Sequence, residues 1–455
     1  MNNKTILAID IGSTKVCAAI ATVNEIGVVH ITGTGIVKAQ GLKKGTITNI
    51  DLASKSIKNA LNDAKRVAGT SVNKAVVSIS GAYTKSLNSS GIVNVPNKEI
   101  GTKEIHRAMQ TSLYNANIPS EYDVVQALPY NFKVDDQDFI EDPLGMNATR
   151  LEVETHVVTS QKSNLNNLKK AIKASGIEVE NIVLSSYASA IATLKEEEKE
   201  IGVALIDLGG NTSNLVIHSG NSIRYTDFLG VGSNHITNDL SMALHTPLSV
   251  AEKIKVDYGT LNSVSNNDLI EIPLIGDENA THEISLDVVH NVIYARVEET
   301  LMILAQSIQK SGLKNEIGAG IVLTGGLTKL DGIRELSVAI FDNKPVRVAK
   351  PNDVDGLFES LKDPVFSTVI GLILYSAGSY SPYEIDSNKS MRHMNEKHGG
   401  NKTSLDDLMK EKSNEDESNK SEDDDKQPGF MELGANKSKD ESSVNKVWNY
   451  ITQLF

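Results

Sequence analysis

One pattern, written twice, constrains this chain more than any other. From Ile6 it reads ILAIDIGSTKVCAAIA, and from Val203 it reads VALIDLGGNTSNLVIHS. Each copy is an apolar run ending in a carboxylate, Asp10 or Asp207, then a polar turn entered through glycine, then a second apolar run. Apolar runs of this length between Gly-rich turns read as buried strands of a covered sheet. Taken singly, each copy is also an ordinary Asp-Gly hairpin. The repetition favours a further reading. Glycine lets a backbone approach a ligand closely, and the turns GSTK and GGNTS offer N–H groups and hydroxyls suited to phosphate oxygens. Two such hairpins facing each other would clamp a polyphosphate, their carboxylates holding Mg²⁺, usually through water.

A third stretch, GIVLTGGLTKLDGI, ends an apolar strand in Gly325 and Gly326, where an adenine ring or ribose can lie flat against the backbone. Around these motifs, strand-like runs (KAVVSIS, LEVETHVVTS) alternate with helical patterns (LASKSIKNALNDAKRVAG, SNLNNLKKAIKASG) from residue 4 to about 380. The architecture expected is α/β, with sheets covered by helices. Residues 84–163 hold one helix pattern among several strands and read as an inserted α+β subdomain. Residues 236–315 read as mostly helical, with the long amphipathic run SLDVVHNVIYARVEETLMILAQSIQKSG.

Composition enters at the C-terminal side. Residues 381–443 are rich in Asp, Glu, Lys, Asn and Ser, and read as a disordered acidic linker that cannot bury enough surface to offset its ordering entropy. In the closing segment 444–455, Val444, Val447, Trp448, Ile451, Leu454 and Phe455 fall on one helical stripe, the pattern of an interfacial membrane helix. Docking onto its own domain or into a partner groove is the alternative for that stripe. The net charge of −13 argues against nucleic-acid binding. A single cysteine, Cys17, inside an apolar run reads as a core residue in a reducing compartment. No signal peptide is expected, because Asp10 and Lys15 interrupt the first apolar stretch. The run VIGLILYSAG is too short to span a membrane.

The three motifs, in this order, resemble the first phosphate, second phosphate and adenosine motifs of the actin, Hsp70 and sugar-kinase superfamily. The resemblance covers most of residues 1–380, with VENIVLSSYASAIATL and DPVFSTVIGLILYSAG resembling the two interdomain helices. GVGSNHITNDLSMALHTPLSVAEKIKVDYG, the insertion, the charged linker and the terminal amphipathic stripe resemble the FtsA family of bacterial cell-division proteins. The resemblance implies an actin-like, two-lobed ATPase fold of duplicated RNase H-like domains. Lobe I would comprise 1–83 and 164–195, with the SHS2-like insertion at 84–163. Lobe II would comprise 196–235 and 316–380, with the helical subdomain at 236–315.

Carried over residue by residue, the resemblance implies ATP and Mg²⁺ as ligands. Gly12, Ser13, Thr14 and Lys15 would meet the phosphates from one side, and Asp207, Gly209, Gly210, Asn211 and Thr212 from the other. Glu252 and Lys255 would reach ribose and adenine opposite Gly325 and Gly326, with Gly232 and Thr328 completing the nucleotide contacts; Asp10 and Asp207 would hold the metal. Spacing alone would leave Glu252 and Lys255 as a solvated helix face. Where actin carries a water-orienting Gln, this chain has the shorter amide Asn181, so binding is expected and turnover is left open. The family further implies self-association into filaments and membrane lipid bound through 444–455. It also implies the tubulin-like protein FtsZ on 236–315, other division proteins on 84–163, and a place on the cytoplasmic side of the membrane at the division site. A pilus-assembly actin-like adaptor and a small-molecule kinase are the alternatives. The kinase lacks a clear catalytic Asp and leaves the terminal stripe unexplained.

Overall fold

In a computed structural model, the residues described are 4–392, apart from 82, 221, 263–267, 276 and the side chains of 277–280. The first sheet is built from β1 (Lys4–Ile11), β2 (Lys15–Val23) and β3 (Val29–Lys38), joined as antiparallel hairpins. A two-residue hairpin, β4 (Leu42–Lys43) and β5 (Thr46–Ile47), leads to helix α1 (Ile50–Ala68). Helix α1 starts where the Asn49 side chain accepts from the Leu52 amide and ends at Gly69 in the left-handed region, the usual start and stop signals. It buries Ala53, Ile57, Ala60, Leu61 and Ala64, and returns the chain to β6 (Lys74–Ile79), parallel to β1.

An excursion follows: β7 (Thr84–Asn94), α2 (Thr102–Asn115), β8 (Tyr122–Val134), β9 (Gln137–Ile140) and β10 (Arg150–Gln161) form a separate sheet in the order β7-β10-β8-β9 with its own apolar core. The chain then re-enters the first lobe through α3 (Lys162–Ala174), β11 (Glu178–Leu184), α4 (Ser185–Thr193) and α5 (Glu196–Ile201). The completed first sheet runs β11-β6-β1-β2-β3.

The second lobe repeats the plan. β12 (Val203–Leu208), β13 (Ser213–Ser219) and β14 (Ser222–Leu229) are antiparallel, and α6 (Ser233–Ala243) and α7 (Leu248–Tyr258) follow. Next come β15 (Leu269–Leu274), β16 (Asp277–Ser285), the long α8 (Leu286–Lys310), β17 (Ile321–Thr324), α9 (Ile333–Ile340), β18 (Val346–Val348) and α10 (Ser367–Ala377). Its main sheet runs β14-β13-β12-β17-β18, with β17 parallel to β12 and to β18. Both lobes therefore place an antiparallel hairpin at the centre and two parallel strands beside it. This is the duplicated actin-like fold. The stretch read as mostly helical also carries the β15–β16 hairpin, whose LIEIPL strand alternates its side chains as a half-buried strand does. Cys17 is buried on β2, and that burial pushes its thiol up to about 12, which makes it a core residue and no nucleophile. Among the described residues, no helix is long and apolar enough to cross a membrane.

One expectation needs correction. Disorder was expected from residue 381, yet Ser381–Arg392 packs into the fold with Tyr383, Ile385 and Met391 buried. These three join the core of the β7–β10 sheet. The average polarity of the long acidic stretch concealed them. The remainder of that stretch and the stripe from Val444 to Phe455 lie outside the described residues.

The inserted sheet also touches lobe II. His156 on β10 is buried, with Nδ1 2.7 Å from Asn88 Oδ1 and Nε2 2.9 Å from Thr226 Oγ1 on β14. Only a neutral imidazole can donate to the first and accept from the second, and burial holds its pKa down at about 4. The unfolded chain takes up this proton below about pH 6.5 while the folded chain does not. Stability is therefore lost as pH falls. The wild type's advantage over His156→Asn should shrink by up to about 1.4 kcal/mol per pH unit between 6.5 and 4, measured by urea unfolding.

Candidate functional site

The two hairpins β1–β2 and β12–β13 bring their turns to opposite sides of one cleft of about 350 Å³ between the lobes. Asp10 and Asp207 occupy equivalent positions near the ends of the first strands, so the parallel design of the lobes delivers one carboxylate from each. Each is anchored from behind. Asp10 Oδ1 accepts from Ser78 Oγ at 2.9 Å, while Lys15 Nζ lies 3.3 Å from Oδ2. Asp207 Oδ2 accepts from Ser189 Oγ on α4 at 2.8 Å and from Thr368 Oγ1 on α10 at 3.3 Å. Burial pushes the Asp207 carboxyl above the usual carboxylate range, Ser189 pulls it back, and the Asp10 charge adds to the rise.

Of the residues predicted from the sequence, Asp10, Gly12, Ser13, Thr14, Lys15, Asp207, Gly209, Gly210 and Thr212 line this cleft together with Glu252, Lys255, Gly325 and Gly326. The tips approach so closely that a Cβ on Gly210 would lie 2.2 Å from Thr14 Cγ2. On α7, Lys255 Nζ pairs with Glu252 Oε2 at 2.7 Å and also donates to Thr237 Oγ1 at 2.9 Å, and both members of this i,i+3 pair line the cleft. Gly325 has φ +91°, and a Cβ there would meet Asp207 Oδ1 at 2.4 Å, which leaves glycine as the residue that fits.

Four predicted residues are not among those lining the cleft. Asn211 lies in the turn that the Gly209 amide closes on the Thr212 carbonyl at 2.8 Å. Gly232 lies behind the wall, where a Cβ would be 2.5 Å from the Gly209 carbonyl, and the neighbouring Ser233 amide donates to that same oxygen at 3.0 Å. Thr328 is buried, its hydroxyl donating to the Gly325 carbonyl at 2.7 Å, which fixes the turn. Asn181 is fully buried on β11; its Nδ2 donates to Asp386 Oδ2 at 3.0 Å and its Oδ1 accepts from Ser387 Oγ at 2.5 Å. An amide committed to those partners is not placed to orient a water in the cleft. The geometry corrects that assignment.

Sequence reading missed Ser189, Thr368 and the Ser80–Asn214 pair, whose Oγ···Oδ1 contact of 2.7 Å links the lobes beside the cleft. Hydroxyls inside small-residue helices carry no local signal. The helix pattern marked the segments but not these positions.

The donor set suits a magnesium-bound nucleotide. Three carboxylates (Asp10, Asp207, Glu252) and three lysines (Lys15, Lys255, Lys329) share the lining, so the cleft does not repel a polyphosphate, and Ile236, Val256 and Leu330 offer an apolar wall. Ser13 is held toward the turn by accepting from the Gly45 amide at 3.1 Å.

Comparisons with known proteins follow the same lines. Residues 204–371 match the family model "Cell division protein FtsA", and residues 81–159 match "SHS2 domain inserted in FTSA", a span that holds β7 and most of β10. The chain is 40% identical over 423 residues to the cell division protein FtsA of Helicobacter pylori, covering 86% of each. It is 36% identical over 376 residues to that of Pseudomonas aeruginosa, covering 82% of this chain and 89% of the relative. With FtsA of Escherichia coli K12 it shares 27% identity over 388 residues, covering 83% and 92%. Among solved structures, a PilM-PilN type IV pilus biogenesis complex shares the fold with a TM-score of 0.60 at 17% identity, covering 82% of this chain and 98% of that one. MreB5 of Spiroplasma citri bound to ADP shares it with a TM-score of 0.50 at 14% identity, covering 82% and 96%. With its duplicated lobes, its inserted sheet and relatives of this similarity along most of its length, the chain belongs to the family of the bacterial cell division protein FtsA.

Proposed function

We propose that this chain binds Mg²⁺–ATP in the cleft, self-associates into filaments and tethers the tubulin-like protein FtsZ to the inner face of the cytoplasmic membrane at the division site. The observation that carries the nucleotide reading is the convergence of Asp10 and Asp207, each on its own glycine-entered hairpin, in one cleft of an FtsA-family chain. Gly12 to Lys15 and Gly209 to Thr212 would hold the phosphates, Asp10 and Asp207 the metal, and Glu252 and Lys255 the ribose and base. Bound nucleotide would supply contacts to both lobes at once. Their relative position then sets how well one subunit fits the next.

Residues 236–315 would receive the C-terminal peptide of FtsZ and residues 84–163 other division proteins. The stripe Val444, Val447, Trp448, Ile451, Leu454 and Phe455 would lie in the membrane interface. Burying a large apolar side chain is worth about 1.5–3 kcal/mol when complete. Six partly buried ones, less the cost of ordering the helix, leave weak binding for one copy and strong binding for an array.

The test is co-sedimentation of FtsZ with anionic liposomes. The full chain with Mg²⁺–ATP should carry FtsZ into the pellet, and a chain ending at Ser443 should leave both in the supernatant. Equal pelleting by the two chains would overturn the tether.

A further inference from the structure

The helices α4 and α10 cross beside the cleft, and each carries two hydroxyls that face two different carboxylates. On the cleft side, Ser189 of α4 and Thr368 of α10 both donate to Asp207. On the other side, Tyr187 of α4 donates to Glu384 Oε2 at 2.8 Å and Tyr375 of α10 donates to Glu384 Oε1 at 2.5 Å. Helical geometry explains the split. Two residues apart on α4 are opposite faces, and seven apart on α10 are two turns along one face, a rise of about 10 Å.

Glu384 belongs to the segment Ser381–Arg392 that follows α10. It is fully buried, as is Asp386, and Arg392 lies 3.5 Å from Asp386 with its guanidinium 4.4 Å over the Tyr375 ring. Two carboxylates and one guanidinium away from water add little net stability. Such a cluster instead fixes one arrangement of the parts around it, because removing any member leaves a buried charge unpaired. Burial pushes the Glu384 carboxyl up to about 7, with Arg392 opposing the rise.

The same segment grips the inserted sheet. Ile385 exchanges both backbone hydrogen bonds with Ala127 of β8, each at 2.9 Å. Tyr383 stands edge-on to Phe132 with ring centres 5.8 Å apart, and its hydroxyl donates to Asp142 at 2.6 Å. The strap is thus bonded to the hinge helices at Glu384 and to the insertion at Ile385, one residue on.

We propose that the α4–α10 crossing couples ligand occupancy of the cleft to the docking of the strap Ser381–Arg392, and through the strap to the β7–β10 sheet. The inference rests on the nucleotide reading above. A ligand that draws on Asp207 pulls Ser189 and Thr368, and the two helices cannot shift without moving Tyr187 and Tyr375 against Glu384. Close packing at the crossing leaves discrete arrangements rather than continuous give. Coupling of this kind is reciprocal, so the strap's docking changes nucleotide affinity by the same factor that nucleotide changes the strap's docking.

The experiment is amide hydrogen exchange and calorimetric titration on the full chain with Mg²⁺ and AMPPNP, comparing wild type with Tyr187→Phe/Tyr375→Phe. These substitutions remove two hydroxyls that do not line the cleft. In wild type, nucleotide should slow exchange across residues 381–392 and β8 by about tenfold; in the double variant that protection should vanish and affinity should fall about tenfold. Wild type that binds AMPPNP with unaltered strap exchange overturns the coupling and leaves the nucleotide reading standing. Wild type that fails to bind AMPPNP overturns both. Should the double variant not fold, the wild-type exchange comparison decides alone.

Discussion

Asp207→Ala is expected to lower the affinity for Mg²⁺–ATP by about 100-fold or more, equivalent to roughly 2.7 kcal/mol. The carboxylate is fixed by two hydroxyls from two helices and stands against Gly325 in the wall of the cleft. A group so oriented loses no entropy on meeting a ligand. Hydrogen bonds to a charged group contribute about 1.5–3 kcal/mol each, and removing one partner leaves the other unmet. The fold should survive, because Ser189 Oγ and Thr368 Oγ1 lie 2.9 Å apart, so that one can donate to the other once the carboxylate is gone. The measurement is titration with Mg²⁺–ATP alongside a urea unfolding curve. Affinity within a factor of three of wild type would remove Asp207 from the site.

The second large effect is expected from Gly371→Ala. Helix propensity by itself predicts that the change stabilises the helix by about 1 kcal/mol. The structure predicts the opposite sign. Gly371 lies where α10 crosses α4, and a Cβ there would be 1.7 Å from the Ala188 carbonyl oxygen and 2.4 Å from its carbon. Those are backbone atoms, which cannot rotate aside as a side chain can, so the helices must separate. Overpacking a tight core costs about 1–3 kcal/mol and occasionally more, and this site belongs at the upper end, about 3 kcal/mol destabilising. Separation would also loosen the Ser189–Asp207–Thr368 junction, so nucleotide affinity should fall with stability. The urea midpoint decides; an unchanged or raised midpoint would mean that the crossing is less tight than its backbone contact implies.

The contrast between these two residues shows what was legible beforehand. Asp207 announces itself, since a carboxylate after VALI and before GG repeats the arrangement at Asp10. Gly371 does not, because one glycine inside VIGLILYSAG looks like a weak point in a helix until its partner, Ala188, is known. Asn181 misled for a related reason. The resemblance to actin puts it at the position of a water-orienting Gln, while its real partners, Asp386 and Ser387, sit in a stretch whose composition reads as linker. The strap's three buried apolar residues are too few to register against the acidic text that follows them. Their value depends on Ala127 and Phe132, far away along the chain.

The amino-acid order alone determined most of the elements, the β15–β16 hairpin and the strap excepted: apolar runs with a period of two, helical stripes, and glycines at turns act through neighbours a few residues off, so a linear reading recovers them. It also determined that two carboxylate-bearing hairpins exist. That they face each other, that hydroxyls from α4 and α10 hold one carboxylate at the cleft and another on the strap, and that Asn181 is spent elsewhere were decided by tertiary structure. Among those relations are bonds between residues 161 to 205 positions apart, and only the packing of the fold brings such residues within hydrogen-bonding distance.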